Sequence, residues 1–141
     1  MTETYIINSC KEMEELGARL AKSLRGGDIL LLTGELGAGK TVFCKGVAVG
    51  LGVTASVVSP TFTLMNEYFG SETEFCHFDA YRLADEEEAY GAGLADYFGN
   101  ENCICAVEWW ENICGMFDGL DATEIVIEKI DASSRKVTVK K

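Results

Sequence analysis

Gly34, Gly39, Lys40 and Thr41 stand at the spacing of a phosphate-binding loop, in the unbroken run GELGAGKT at residues 34–41. Glycines in such a loop let successive backbone N–H groups turn inward around phosphate oxygens, because no Cβ blocks the turn. Lys40 is expected to reach the β- and γ-phosphates, and the Thr41 hydroxyl to ligate Mg2+. Leu36, Gly37, Ala38, Gly39, Lys40, Thr41 and Val42 are therefore the expected nucleotide contacts. A second Gly-Ala-Gly, at 91–93, has no lysine after it and no apolar strand before it, and reads as a turn.

Beside such a loop, Mg2+ is held by an acid that closes a neighbouring apolar strand. Asp79 closes EFCHFD and Glu108 closes CICAVE, and spacing does not choose between them. His77 falls on the same side of its strand as Phe75 and Asp79. It is either a hydrogen-bonded structural residue or a group that tunes Asp79. Pro60 biases Ser59 toward extended backbone, which either aims Thr61 or simply makes a tight turn.

These groups need a strand, a loop and a helix to place them, and the flanking sequence supplies all three. DILLLT is a continuous apolar run, the pattern of a strand buried on both faces. KTVFCKGVAVGLG follows as a helix closed by Gly50 and Gly52. Upstream, TYIIN reads as a short strand. Ser9 and Glu12 then form a capping box for a helix with Met13, Leu16, Leu20 and Leu24 on one face, ended by Gly26-Gly27. Downstream, TFTLMNEYF alternates as a strand, EFCHFD and CICAVEWW read as two more, and Asp85–Glu88 suits the first turn of a helix. If the CICAVEWW strand continues to its end, Trp109 and Trp110 face opposite sides, with Trp109 near the nucleotide. TEIVIEKI and RKVTVK close the chain as a hairpin. The expected fold is α/β, a single domain over residues 1–141. It is a P-loop NTPase-like mixed central sheet flanked by helices, with a closing β-hairpin at the C-terminus.

Bulk composition narrows the function. A net charge of −11 argues against direct contact with a nucleic-acid backbone, which calls for a basic face. No segment approaches the roughly 20 apolar residues of a membrane span, and the start lacks a basic region followed by an apolar run. The six cysteines form no CxxC pair, and the single histidine leaves no zinc pattern, so reduced thiols in a cytoplasmic protein are expected. Cys103 and Cys105 share one face of their strand.

Other phosphate-loop classes fit poorly. There is no NKxD for guanine recognition and no LSGGQ-like signature, and the chain is short for an AAA-type motor. Small-molecule kinases close an arginine-bearing lid over the phosphates, and here only Arg82 and Arg135 follow the loop helix.

GELGAGKT, SPTFTLMNEY at 59–68, HFDAYRL at 77–83 and VEWWE at 107–111 occur in this order. Together they resemble the TsaE (YjeE) family, bacterial ATPases used in making threonylcarbamoyladenosine in tRNA. The resemblance runs from the first helix to about residue 111. It implies ATP and Mg2+ as ligands, and TsaB-type and TsaD-type proteins as partners, with tRNA reached only through that complex. By position, Lys40 and Thr41 match the phosphate and metal residues, Glu108 the Mg2+-associated acid and Asp79 a residue implicated in hydrolysis. Thr61 matches a switch segment that senses the γ-phosphate, and Ser9 and Cys10 align with the edge of the adenine site. The family commonly has proline after Glu-Trp, where this chain has Trp110. The implied role is an ATPase that resets a TsaB/TsaD-type complex. A nucleotide-gated binding module without turnover and a small P-loop phosphotransferase are the alternatives.

Overall fold

A computed structural model describes residues 2–60 and 63–141, so Thr61, the expected γ-phosphate sensor, lies outside the described residues. The chain runs β1 (Thr2–Ile7), α1 (Cys10–Ala21), β2 (Ile29–Thr33), α2 (Lys40–Gly50), β3 (Met65–Phe69), β4 (Glu74–Asp79) and α3 (Glu86–Gly91). It continues through β5 (Cys103–Glu108), a 3-10 segment at Trp110–Phe117, β6 (Ala122–Lys129) and β7 (Arg135–Lys140).

All seven strands form one sheet in the order β1-β7-β6-β2-β5-β4-β3. Its centre is parallel, with β2 flanked by β5 and β6 and β4 beside β5. Both margins are antiparallel, through β3 on one side and the β6–β7 hairpin with β1 on the other. The sheet is mixed and ends in a hairpin, as its sequence predicts.

The run Ile29–Leu32 is apolar throughout because β2 is covered on both faces. Leu30 and Leu32 pack with Met13, Leu16, Phe43 and Val47 of α1 and α2. Ile29 and Leu31 pack with Phe78, Leu94, Ile113 and Phe117 on the other side. Gly17 and Gly46 let α1 and α2 touch backbone to backbone: a Cβ at Gly46 would sit 2.0 Å from the Glu14 carbonyl oxygen.

The Ser9–Glu12 capping box forms, with Glu12 N–H donating to Ser9 Oγ at 3.1 Å and Asn8 N–H donating to Glu12 Oε1 at 3.0 Å. Yet α1 ends at Ala21, ahead of Gly26-Gly27. Lys22, Ser23 and Leu24 tighten into i→i−3 bonds, and the Ser23 hydroxyl takes the Leu20 carbonyl at 2.8 Å. Those bonds satisfy carbonyls that another helical turn would have used. Gly26 serves a close approach instead, since a Cβ there would strike the Glu101 carbonyl.

Two strands are shorter than their patterns suggest. β3 starts only at Met65, because Thr63 and Leu64 turn back to the Pro60 carbonyl and Leu64 has φ 69°. β5 stops at Glu108, because Trp109 turns left-handed at φ 57°, ψ 34°. Trp109 and Trp110 therefore leave the sheet, and both are half-buried against the core.

All six cysteines are free thiols, and Cys103 and Cys105 share a face with sulfurs 3.8 Å apart. No helix among the described residues is long and apolar enough to cross a membrane.

Candidate active site

Parallel strands end on the same side of a sheet, so β2, β5 and β4 deliver their last residues to one edge. Leu32 stands opposite Glu108, and Glu108 opposite Asp79. One residue past β2 the glycine loop begins. Gly37 (φ 80°) and Gly39 (φ 116°) take the left-handed backbone that its turns require, and Ala38 N–H closes onto the Glu35 carbonyl at 3.0 Å. Lys40 then opens α2.

The loop, the two carboxylates and Trp109 surround a cavity of about 680 Å³, whose lining includes Lys40, Thr41, Asp79 and Glu108. The Lys40 ammonium is buried there, 3.8 Å from Glu108 Oε1 and 5.0 Å from the centre of the Trp109 ring. Tyr81 stands edge-on to that ring at 5.0 Å. Asp79 Oδ1 accepts the Tyr81 N–H at 2.9 Å, which leaves its other oxygen for the cavity. Leu36 protrudes at the mouth, 86% exposed.

Glu108 Oε2 lies 2.7 Å from Nε2 of His77, which is fully buried. His77 is thus the hydrogen-bonded buried residue of the two alternatives, and its partner is Glu108 on the adjacent strand rather than Asp79. Burial alone would oppose a charge on the ring. Cys44 of α2 and the Glu108 carboxylate outweigh it and raise the imidazole to about 10. Nδ1 has no hydrogen-bond partner among the described residues.

A second cavity of about 460 Å³ adjoins the first and shares Gly37, Gly39 and Val42 with it. Ser9, Cys10, Ala38, Ser133 and Arg135 line it further. The first cavity holds Lys40, Thr41 and both acids, and the second lies at the N-terminus of α1.

The family model of TsaE, "Threonylcarbamoyl adenosine biosynthesis protein TsaE", matches residues 7–137. The chain belongs to the TsaE family. It is 41% identical to a tRNA threonylcarbamoyladenosine biosynthesis protein TsaE of Bacillus subtilis, over 91% of this chain and 77% of that one. It is 33% identical to the TsaE protein of Treponema pallidum, over 95% of this chain and 97% of the relative. The crystal structure of Bacillus subtilis YdiB superposes with a TM-score of 0.79 at 32% identity, covering 99% of this chain and 84% of that one.

In this TsaE chain, every site residue expected from sequence, apart from Thr61, lines one of the two cavities. Thr41, Asp79 and Glu108 offer oxygen donors in the first cavity, which suit a hard cation such as Mg2+. Among the described residues no group of three or more His, Cys, Asp or Glu forms a metal cage. Sequence reasoning missed two groups, the His77–Glu108 pair and Arg135, whose Nε donates to the Ala38 carbonyl of the loop at 2.9 Å. Neither has a local signal, since the partners lie 31 and 97 residues apart.

Proposed function

We propose that this chain is a Mg2+-dependent ATPase of the threonylcarbamoyladenosine-making machinery in tRNA modification, which resets a complex of TsaB-type and TsaD-type proteins. The observation that carries this reading is the convergence of Lys40, at the end of the glycine loop that follows β2, with Asp79 and Glu108, which close the neighbouring strands β4 and β5. Membership of the TsaE family and the names of its relatives support the pathway.

The loop amides and Lys40 would grip the β- and γ-phosphates, with the base running toward Cys10 in the adjoining cavity. Lys40 would exchange its contact with Glu108 for the phosphates, where its charge stabilises the transition state. Asp79 would orient the water that attacks the γ-phosphorus as the bond to ADP breaks. Thr41 and Glu108 would hold Mg2+, and His77 would fix the Glu108 carboxylate. Mg2+, when bound, neutralises charge on the phosphate oxygens. The acidic surface leaves tRNA contact to the partners.

Phosphate release from MgATP, measured with and without TsaB-type and TsaD-type partners, tests this reading. Partner-stimulated release that disappears in Lys40→Ala supports it. ATP binding with no release under either condition overturns the ATPase and leaves a nucleotide-gated binding module.

A further inference from the structure

The closing hairpin reaches the phosphate loop from outside, through one guanidinium. Arg135 Nε donates to the Ala38 carbonyl at 2.9 Å, and Nη2 points at the Gly37 carbonyl at 3.5 Å. Its Nη1 donates to the Asp131 and Ser134 carbonyls of the hairpin turn, at 2.9 and 3.0 Å. One rigid fork thus ties the hairpin turn to the loop. Its cross-strand partner in the β6–β7 register is Lys129, whose ammonium rests against Gly37, 3.4 Å from where a Cβ would stand.

We propose that Arg135 is a positioning residue of the phosphate loop: by holding the Ala38 carbonyl outward, it keeps the Gly39 amide turned into the nest that receives phosphate. This rests on the nucleotide-binding reading of the site. The C=O and N–H of a trans peptide point in opposite directions, so anchoring one aims the other. Ala38 sits between Gly37 and Gly39, both left-handed, and glycines on either side leave that peptide free to rotate. An external anchor removes that freedom before the ligand arrives. Ala38 N–H is already committed to the Glu35 carbonyl, so the next peptide is the one left to be aimed. Among the described residues the guanidinium forms no ion pair with a carboxylate, and its charge, with that of Lys129, favours an anion in the loop. A lysine at 135 has its three donors on one nitrogen and cannot span both the turn and the loop.

The test compares wild type, Arg135→Ala, Arg135→Lys and Lys129→Ala as full-length proteins. Amide hydrogen exchange is followed without nucleotide, and MgADP and MgATP binding by calorimetry. The expected result is exchange at 37–40 faster by about tenfold in both Arg135 variants, with β4 and β5 unchanged. Affinity for both nucleotides should fall by about tenfold, the scale of one lost charge-assisted hydrogen bond. Lys129→Ala should lose only about threefold, and added ethylguanidinium should restore binding to Arg135→Ala. Should Arg135→Ala fail to fold, Arg135→Lys carries the same readings. Unchanged loop exchange in a folded Arg135 variant, or exchange that rises in the hairpin alone, overturns the proposal. Faster loop exchange in a protein whose wild type binds neither nucleotide would support the anchoring and sink the nucleotide reading instead.

Discussion

His77 and Glu108 form a buried pair 2.7 Å apart, across neighbouring parallel strands, directly beneath the Lys40 ammonium. Glu108 thus faces two basic groups, His77 on one carboxylate oxygen and Lys40 on the other. The His77 imidazole is raised to about 10, burial opposing the shift and Cys44 and Glu108 producing it. A group raised above its unfolded value near 6.5 stabilises the fold fully below that pH and loses its contribution as pH rises through the folded value. Stability of the metal-free, nucleotide-free protein should therefore decline between about pH 6.5 and 10. Urea denaturation across that range should show the decline, and His77→Gln should flatten it. His77→Ala should cost about 3–5 kcal/mol, because it strips one partner from a buried pair. A wild-type profile as flat as that of His77→Gln would mean that the ring stays neutral.

Asp79 and Glu108 should separate in their effects on phosphate release. Asp79→Asn keeps an oxygen for the Tyr81 amide, so the fold and nucleotide affinity should persist while partner-stimulated release falls by about 10²-fold or more. Glu108→Gln removes a charge from the metal end and should also raise the Mg2+ concentration needed for half-maximal release. Steady-state release against Mg2+ concentration reads both. Unaltered release in both variants would remove hydrolysis from the site.

Trp109 should report the movement of Lys40. Its ring centre is 5.0 Å from the ammonium, which phosphate would draw away. Trp110 lies in a different contact, donating from Nε1 to Thr33 Oγ1 at 2.9 Å, so Trp110→Phe isolates the signal of Trp109. In that background MgATP should change the emission. Measured binding without any change would mean that Lys40 stays on the ring.

Helix contact gives a test independent of nucleotide. Gly46→Ala drives a Cβ into the Glu14 carbonyl and should cost about 2–4 kcal/mol, since α1 and α2 must move apart. Gly91→Ala meets nothing within 4 Å and should be neutral or stabilising by up to about 1 kcal/mol. Chemical denaturation of the two variants distinguishes crowding from a general intolerance of change at glycine.

Sequence alone determined the pieces whose signals are local. The loop spacing, the Ser9–Glu12 capping box, the two-face burial of β2 and the closing hairpin are each written in a few consecutive residues. It also placed Asp79 and Glu108 at strand ends, because an apolar run that stops at an acid marks that boundary. What it left undecided was which strands would be neighbours. Alternation assigns a side chain to a face of its own strand and says nothing of the strand beside it, so the partner of a hydrogen-bonded His77 stayed open until the β4–β5 pairing gave it to Glu108. The end of α1 and the departure of Trp109 from β5 were likewise tertiary outcomes. A serine hydroxyl and i→i−3 bonds stopped one, and a single left-handed residue turned the other toward Lys40. Arg135 reached the loop only because the sheet lays the β6–β7 hairpin beside β2. Contacts across such distances in sequence are set by packing the whole sheet, and no short stretch of residues encodes them.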